Sequence, residues 1–313
     1  MRVREFVEGT DVSQALLVRE VERHPDHLKL VLGDRSGTVG AVVAPAAAAL
    51  RRAGKLCRAG EVVFVTGTFA GGQLAVCAVR APRDGEYARA DLHDGPAHEV
   101  DQMERDLREL LATIQDPHLR QLLSALFAES WAGYRDAPAG KRFHHAYRHG
   151  LLEHSLSVAQ SVSAISAMFP GIDRDVAVAG ALLHDIGKLE AYEFGAGGIS
   201  MSDPGRLHGE IPLGYYRVRR TIERLDGFPP DLAQALLHII LSHHGSLEHG
   251  SPVVPCTREA TLVHMIDNLG GKLGSFDRLE KELRAGEQWS AWDKALGGGA
   301  YFAPRDDAER EAA

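Results

Sequence analysis

The apolar period changes once along this chain, and that change limits the fold to two unlike parts. Up to about residue 85, apolar and polar residues alternate in twos; beyond about residue 100 the apolar residues return every three or four. Strands are expected at ALLVREVE (15–22), HLKLVLGD (27–34), GTVGAVVA (37–44), EVVFVTGTF (61–69) and QLAVCAVRA (73–81). Asp34-Arg35-Ser36-Gly37 and Gly71-Gly72 read as hairpin turns, and AAAALRRAG (46–54) as a short helix between the third and fourth strands.

Three strands, a helix and two strands is the order of an OB-fold, the small Greek-key barrel. We therefore expect a multidomain protein: an all-β OB-fold barrel over 1–87, a polar linker over 88–100, and an all-α bundle with a C-terminal tail over 101–313. Helices are expected at 103–114, 118–131, 151–169, 175–187, 211–225, 230–245 and 258–273, with Gly187, Gly245 and Gly270 at or near helix ends. Charge divides the same way, with a net of +3 over residues 1–90 and −11 over the rest. Three cysteines without CxxC spacing exclude a zinc ribbon or a disulfide framework. No apolar run approaches the roughly 18 residues a membrane span needs. The charged opening MRVREFVEGTDVSQ does not read as a signal peptide, so a cytoplasmic protein is expected.

Histidine is the unusual residue. Of 16 in the chain, 11 fall between positions 144 and 264. In the helical part they form an ordered set with aspartate: His154, His184-Asp185, His208, His243-His244 and Asp267. The pair His184-Asp185 closes an apolar helix, where two polar side chains are costly unless coordinated. Nitrogen mixed with carboxylate suits a borderline divalent ion such as Mn, Fe, Co, Ni or Zn rather than Mg or Ca. Seven ligands exceed what one tetrahedral ion takes, so two divalent ions bridged by a carboxylate are expected.

HDIGK (184–188) with this set resembles the HD-domain metal-dependent phosphohydrolases. HHAYRHGLLEHSLSVA (144–159), LSHHGSLEHGSPVVPCTREATLVHMIDNL (241–269) and the ending WSAWDKALGGGAYFAP (289–304) narrow the resemblance to the YhaM-type 3′→5′ exoribonucleases, which join an OB-fold to an HD domain. The resemblance implies Mn-dependent, stepwise removal of 3′ nucleotides from single-stranded RNA, with single-stranded DNA as a further substrate. It departs at Gly270-Gly271, where the family tends to have Asp-Ala, at His149, where the family has glycine, and at a third-strand tryptophan absent here.

By analogy with dinuclear HD enzymes, one ion takes His154, His184, Asp185 and Asp267; the other takes His208, His243 and His244, with Asp185 between them. Asp185 and Lys188 are then catalytic, Lys188 as a point charge for a phosphate oxygen. His145 and His149, nine and five residues before His154, stand where they would protonate the leaving group or hold phosphate. Glu248 and Arg258 are candidate substrate contacts, while His264 is expected to support the ligands from behind.

Two other functions stay open at this level. A phosphohydrolase of small nucleotides or cyclic dinucleotides is one, although the cyclic-dinucleotide class would want HHExxDGxGYP where this chain has HHGSLEHGSP. A nucleic-acid-binding regulator with an inactive HD site is the other; loss of a ligand would mark it, and none is missing.

Overall fold

The computed structural model describes residues 1–43, 53–92, 95–140, 145–195, 198–283 and 287–303. The chain divides into two compact units: residues 1–94, 196–198 and 275–313 form one, and 95–195 with 199–274 form the other. The C-terminal segment, expected as a tail of the helical part, groups by its contacts with the barrel unit.

Strands β1 (Asp11–Arg23), β2 (Leu28–Asp34), β3 (Gly37–Val43), β4 (Val62–Ala70) and β5 (Gln73–Arg80) close into a barrel in the order β1-β2-β3-β5-β4. The one parallel pairing, β3 with β5, makes the closure. Alternation along β2 and β3 sends Leu28, Leu30, Leu32, Val39, Ala41 and Val43 inward. Both hairpin turns lie at the expected residues. Asp34 pairs with Gly37, and the buried Asp34 carboxylate accepts from the amides of Val3, Ser36 and Gly37. Gly71 and Gly72, both at positive φ, join Ala70 to Gln73. The helix expected over 46–54 lies mostly outside the described residues; 53–56 are helical.

Between residues 95 and 283 the chain is helical, apart from a short hairpin: α1 (Val100–Ala112), α2 (Pro117–Asp136), α3 (Gly150–Ser166), α4 (Arg174–Leu183), α5 (Lys188–Ala191), strands β6 (Tyr192–Gly195) and β7 (Gly198–Met201), α6 (Asp203–His208), α7 (Glu210–Ile222), α8 (Pro230–Ser242) and α9 (Arg258–Glu282). Asp116 and Asp173 cap α2 and α4 by accepting from the amides two and three residues on. Helix α9 runs past Gly270-Gly271 to Glu282, beyond its expected end at 273. An interior glycine costs only about 1 kcal/mol relative to alanine, too little to stop a helix that continues through Leu273, Phe276 and Leu279. Among the described residues, no helix is long and apolar enough to cross a membrane.

Tyr134 ties α2 to the end of α4. Its fully buried hydroxyl donates to the Leu182 carbonyl at 2.8 Å, a group that the end of α4 leaves without a helical donor. Tyr134→Phe should cost about 1–3 kcal/mol by leaving that carbonyl unpaired. Thermal denaturation checks it; an unchanged midpoint would remove the bond from any structural role.

Candidate metal centre

Two apolar helices deliver the central side chains. Every residue of α4 from Val176 to Leu183 is buried. Gly180 lets α4 approach α8 so closely that a Cβ there would meet Ile239 Cδ1 at 2.4 Å. Each helix is followed directly by a histidine, His184 after α4 and His243 after α8.

The last carbonyls of a helix have no donor inside it, and here the histidines supply one. His184 Nδ1 donates to the Ala181 carbonyl at 2.7 Å, and His243 Nδ1 to the Ile240 carbonyl at 2.8 Å. A carbonyl can only accept, so the proton sits on Nδ1 and the Nε2 lone pair is left for an ion. His244 repeats the device with the His249 carbonyl at 2.9 Å, and His264 donates to the carbonyl of His243 at 2.8 Å. The helix C-termini add a negative dipole end that favours cations.

His154 from α3 and Asp267 from α9 complete the group. His154 Nε2 lies 3.1 Å from Asp267 Oδ1, 3.3 Å from Asp185 Oδ2 and 3.1 Å from His184 Nε2. Asp185 Oδ2 is also 3.3 Å from His184 Nε2, while its Oδ1 is 3.5 Å from His243 Nε2. Three overlapping donor sets result: His154 with His184 and Asp185, His184 with His243 and Asp267, and Asp185 with His243 and His244, the atoms of each within 4.8 Å of one another. Asp185 Oδ1 and His243 Nε2 are buried with no hydrogen-bond partner among the described residues. Such atoms destabilise a fold unless something satisfies them. A divalent cation would do so, and the nitrogen and carboxylate donors suit it.

The charges agree. Burial opposes ionisation of Asp185, yet Lys188, His184 and His154 hold its carboxyl well below the usual range. Burial likewise opposes ionisation of Asp267, and the hydrogen bond and charge of His154 prevail. Burial would lower the His154 imidazole, but Asp185 and Asp267 outweigh it and raise the group to about 9. His243 is raised against burial by Asp185, whereas burial and the neighbouring His243 lower His244.

An ion needs His154 neutral at Nε2. Because the metal-free ring keeps its proton up to about pH 9, loading at pH 7 must expel that proton. Apparent affinity for Mn(II) should therefore rise by about tenfold per pH unit between 7 and 9 and level off above. Calorimetric titration in buffers of different ionisation enthalpy should show at least one proton released. A flat affinity across this range would contradict the assignment of His154.

The other sequence candidates divide. Lys188 Nζ sits 2.7 Å from Asp185 Oδ2 and 3.9 Å from Glu210 Oε1. His145, at φ +57°, places its ring 5.6 Å from that of His154 and its Nε2 3.7 Å from Glu153 Oε2. Its backbone is held by the close approach of Gly150, where a Cβ would meet the His145 carbonyl oxygen at 2.0 Å. His149, at φ +72°, turns to the Arg135 carbonyl at 2.8 Å and Asp136 at 3.5 Å. His208 is exposed at the end of α6 and belongs to none of the three donor sets. Glu248 is exposed on the turn Leu247–His249, and Arg258 donates to the Gly171 carbonyl at 3.1 Å.

Two acidic residues escaped the sequence reading. Glu210 Oε1 stands 3.5 Å from His244 Nε2; an acid in the first turn of a helix reads simply as a dipole partner. Buried Glu153 accepts from Tyr147 Oη at 2.5 Å and the Ala97 amide at 2.7 Å. Its place beside His154 in EHS was the only available signal.

Residues 151–271 match the HD domain family. The 3′-5′ exoribonuclease YhaM of Shouchella clausii (strain KSM-K16) is 26% identical over 309 residues, 97% of this chain and 95% of that protein. The protein of the same name from Geobacillus sp. (strain WCH70) is 31% identical over 69% of this chain and 66% of its own. That from Bacillus subtilis (strain 168) is 30% identical over 69% of this chain and 68% of its own. The chain belongs to the YhaM family. This member carries the HD domain and is a hydrolase of phosphodiester bonds. HD domains are metal-dependent, and His154, His184, Asp185, His243, His244 and Asp267 form a cluster that could hold a metal.

Proposed function

We propose that the chain is a metal-dependent 3′→5′ exoribonuclease that removes nucleotides one at a time from single-stranded RNA in the cytoplasm, with single-stranded DNA as a further substrate. The observation that carries this reading is the meeting of six histidine and aspartate side chains, two of their buried atoms unsatisfied, in a chain similar almost end to end to a named exoribonuclease. Two divalent ions, Mn first among them, would be held by His154, His184, Asp185, His243, His244 and Asp267. When bound, they supply charge for the phosphoryl oxygens and acidify the attacking water.

The chain's own residues do the rest. Asp185, shared between donor sets, fixes the spacing of the site. Lys188, a compact charge on a flexible stem, takes a non-bridging phosphate oxygen. His145, oriented by Glu153, gives its proton to the departing oxygen. Hydrolysis breaks the P–O3′ bond: water oxygen joins the phosphate of the released nucleotide, and the 3′ oxygen leaves protonated. The barrel unit, with its net +3 over residues 1–90, gathers the strand electrostatically.

Digestion of a 5′-labelled single-stranded RNA with Mn(II) tests this, with His184→Ala/Asp185→Ala as the control. A ladder that shortens from the 3′ end is expected. Intact RNA beside rapid hydrolysis of a small nucleotide would replace the reading with a small-nucleotide phosphohydrolase.

A further inference from the structure

The two sides of Asp185 are unequally furnished. Oδ2 faces His154 and His184, with Asp267 behind them. Among the described residues Oδ1 faces His243, and with His244 those three residues make the donor set on that side. A borderline divalent ion takes four to six donors, so this side lacks at least one. His208, expected to fill it, ends α6 with its side chain in solvent.

The next donor outward is a carboxylate. Glu210 Oε1 lies 3.5 Å from His244 Nε2, and its side chain is mostly shielded, at 17% exposure. Its place is built. A Cβ at Gly187 would meet the Glu210 carbonyl oxygen at 2.0 Å, so the turn carrying Lys188 lies directly on the start of α7. Lys188 stands between Glu210 and Asp185, at 3.9 Å and 2.7 Å. It balances both carboxylates without ion, and its long stem lets it swing aside when one arrives.

Resting on the exonuclease reading above, we propose that Glu210, and not His208, supplies the remaining ligand of the second metal position, beside Asp185 Oδ1, His243 and His244. His208 marks the right stretch of sequence, but Gly209, at φ +79°, turns the chain between α6 and α7 and brings in the residue after it.

The test is metal content rather than turnover. Full-length protein is stripped with a chelator, reloaded with Mn(II), and read by elemental analysis and calorimetry for the wild type, Glu210→Gln, Glu210→Ala and His208→Ala. The wild type should hold two ions. Glu210→Gln, which keeps size and hydrogen bonding, should weaken the second ion by about 10- to 100-fold, the range for a lost supporting contact or more. Glu210→Ala should retain one ion, and His208→Ala should hold both within twofold of wild type. Melting curves of the stripped proteins confirm folding; should Glu210→Ala fail to fold, Glu210→Gln decides. A wild type that takes one ion, a Glu210→Gln that binds both as tightly as wild type, or a His208→Ala that loses one overturns the assignment. RNA digestion by the wild type separates the two claims. A 3′ ladder with an ion count indifferent to Glu210 leaves the exonuclease standing and removes Glu210. Intact RNA with a Glu210-dependent second ion does the reverse.

Discussion

Asparagine at position 185 should lower RNA hydrolysis by about a thousandfold or more. Among the described residues, Asp185 is the one carboxylate whose two oxygens face different histidines, Oδ2 toward His154 and His184 and Oδ1 toward His243. Asparagine keeps the shape but offers one weak acceptor and an amide that repels a cation. Ions at such sites supply several kcal/mol of transition-state stabilisation, and each 1.36 kcal/mol is a factor of ten. The same change strips the counter-charge from Lys188, whose ammonium burial would otherwise discharge and which Asp185, then Glu210, hold protonated. Steady-state hydrolysis with Mn(II) and a parallel ion count measure both effects. More than a tenth of wild-type activity with two ions bound would show that Asp185 is not the pivot.

Alanine at position 187 should be nearly as damaging for a purely steric reason. Gly187 has ordinary helical dihedrals, φ −66° and ψ −17°, so its backbone would accept any residue. What forbids a side chain is proximity: a Cβ would lie 2.0 Å from the Glu210 carbonyl oxygen and 2.5 Å from the Gly214 amide nitrogen, both rigid backbone. Pushing the two turns apart should cost about 2–3 kcal/mol, or a melting midpoint lower by about 5–10 °C. It also displaces Lys188 and Glu210 together, and a shift of about 1 Å near a reacting centre costs about a hundredfold in rate. Gly270→Ala is the contrast. Nothing lies within 4 Å of a Cβ there, inside α9, so alanine should stabilise by about 0.4–1 kcal/mol. If Gly187→Ala melted with the wild type, the close approach would carry no energetic weight.

The barrel was legible because its strands bury alternate residues and its turns need particular ones. Leu28, Leu30 and Leu32 point one way by pleat alone, and Gly71-Gly72 accepts the positive φ of a two-residue hairpin. The helical core was legible for the same reason at a longer period. Of the proposed metal ligands, those placed by long apolar helices or directly after them, His154, His184-Asp185, His243-His244 and Asp267, meet in space. His208 stands on a six-residue helix ended by Gly209, and its direction depends on a backbone turn that periodicity does not encode. Glu210, Glu153 and Tyr134 were invisible for another reason. An acid in a first turn, an acid in an apolar helix and a tyrosine among leucines each have an ordinary local meaning, and only tertiary packing gives them a second one.

The carbonyl-anchored imidazoles carry a consequence for how an ion enters. Each of His184, His243 and His244 is oriented by backbone of its own segment, so the lone pairs are aimed before any cation arrives. These three rings would then need little reorganisation on binding. The cavity is preorganised for donors rather than tuned to an element. Which metal would occupy it would therefore be set by the free concentrations of the cellular pool weighed against the intrinsic affinity order, and exchange between metals would not need the helices that carry these residues to unfold.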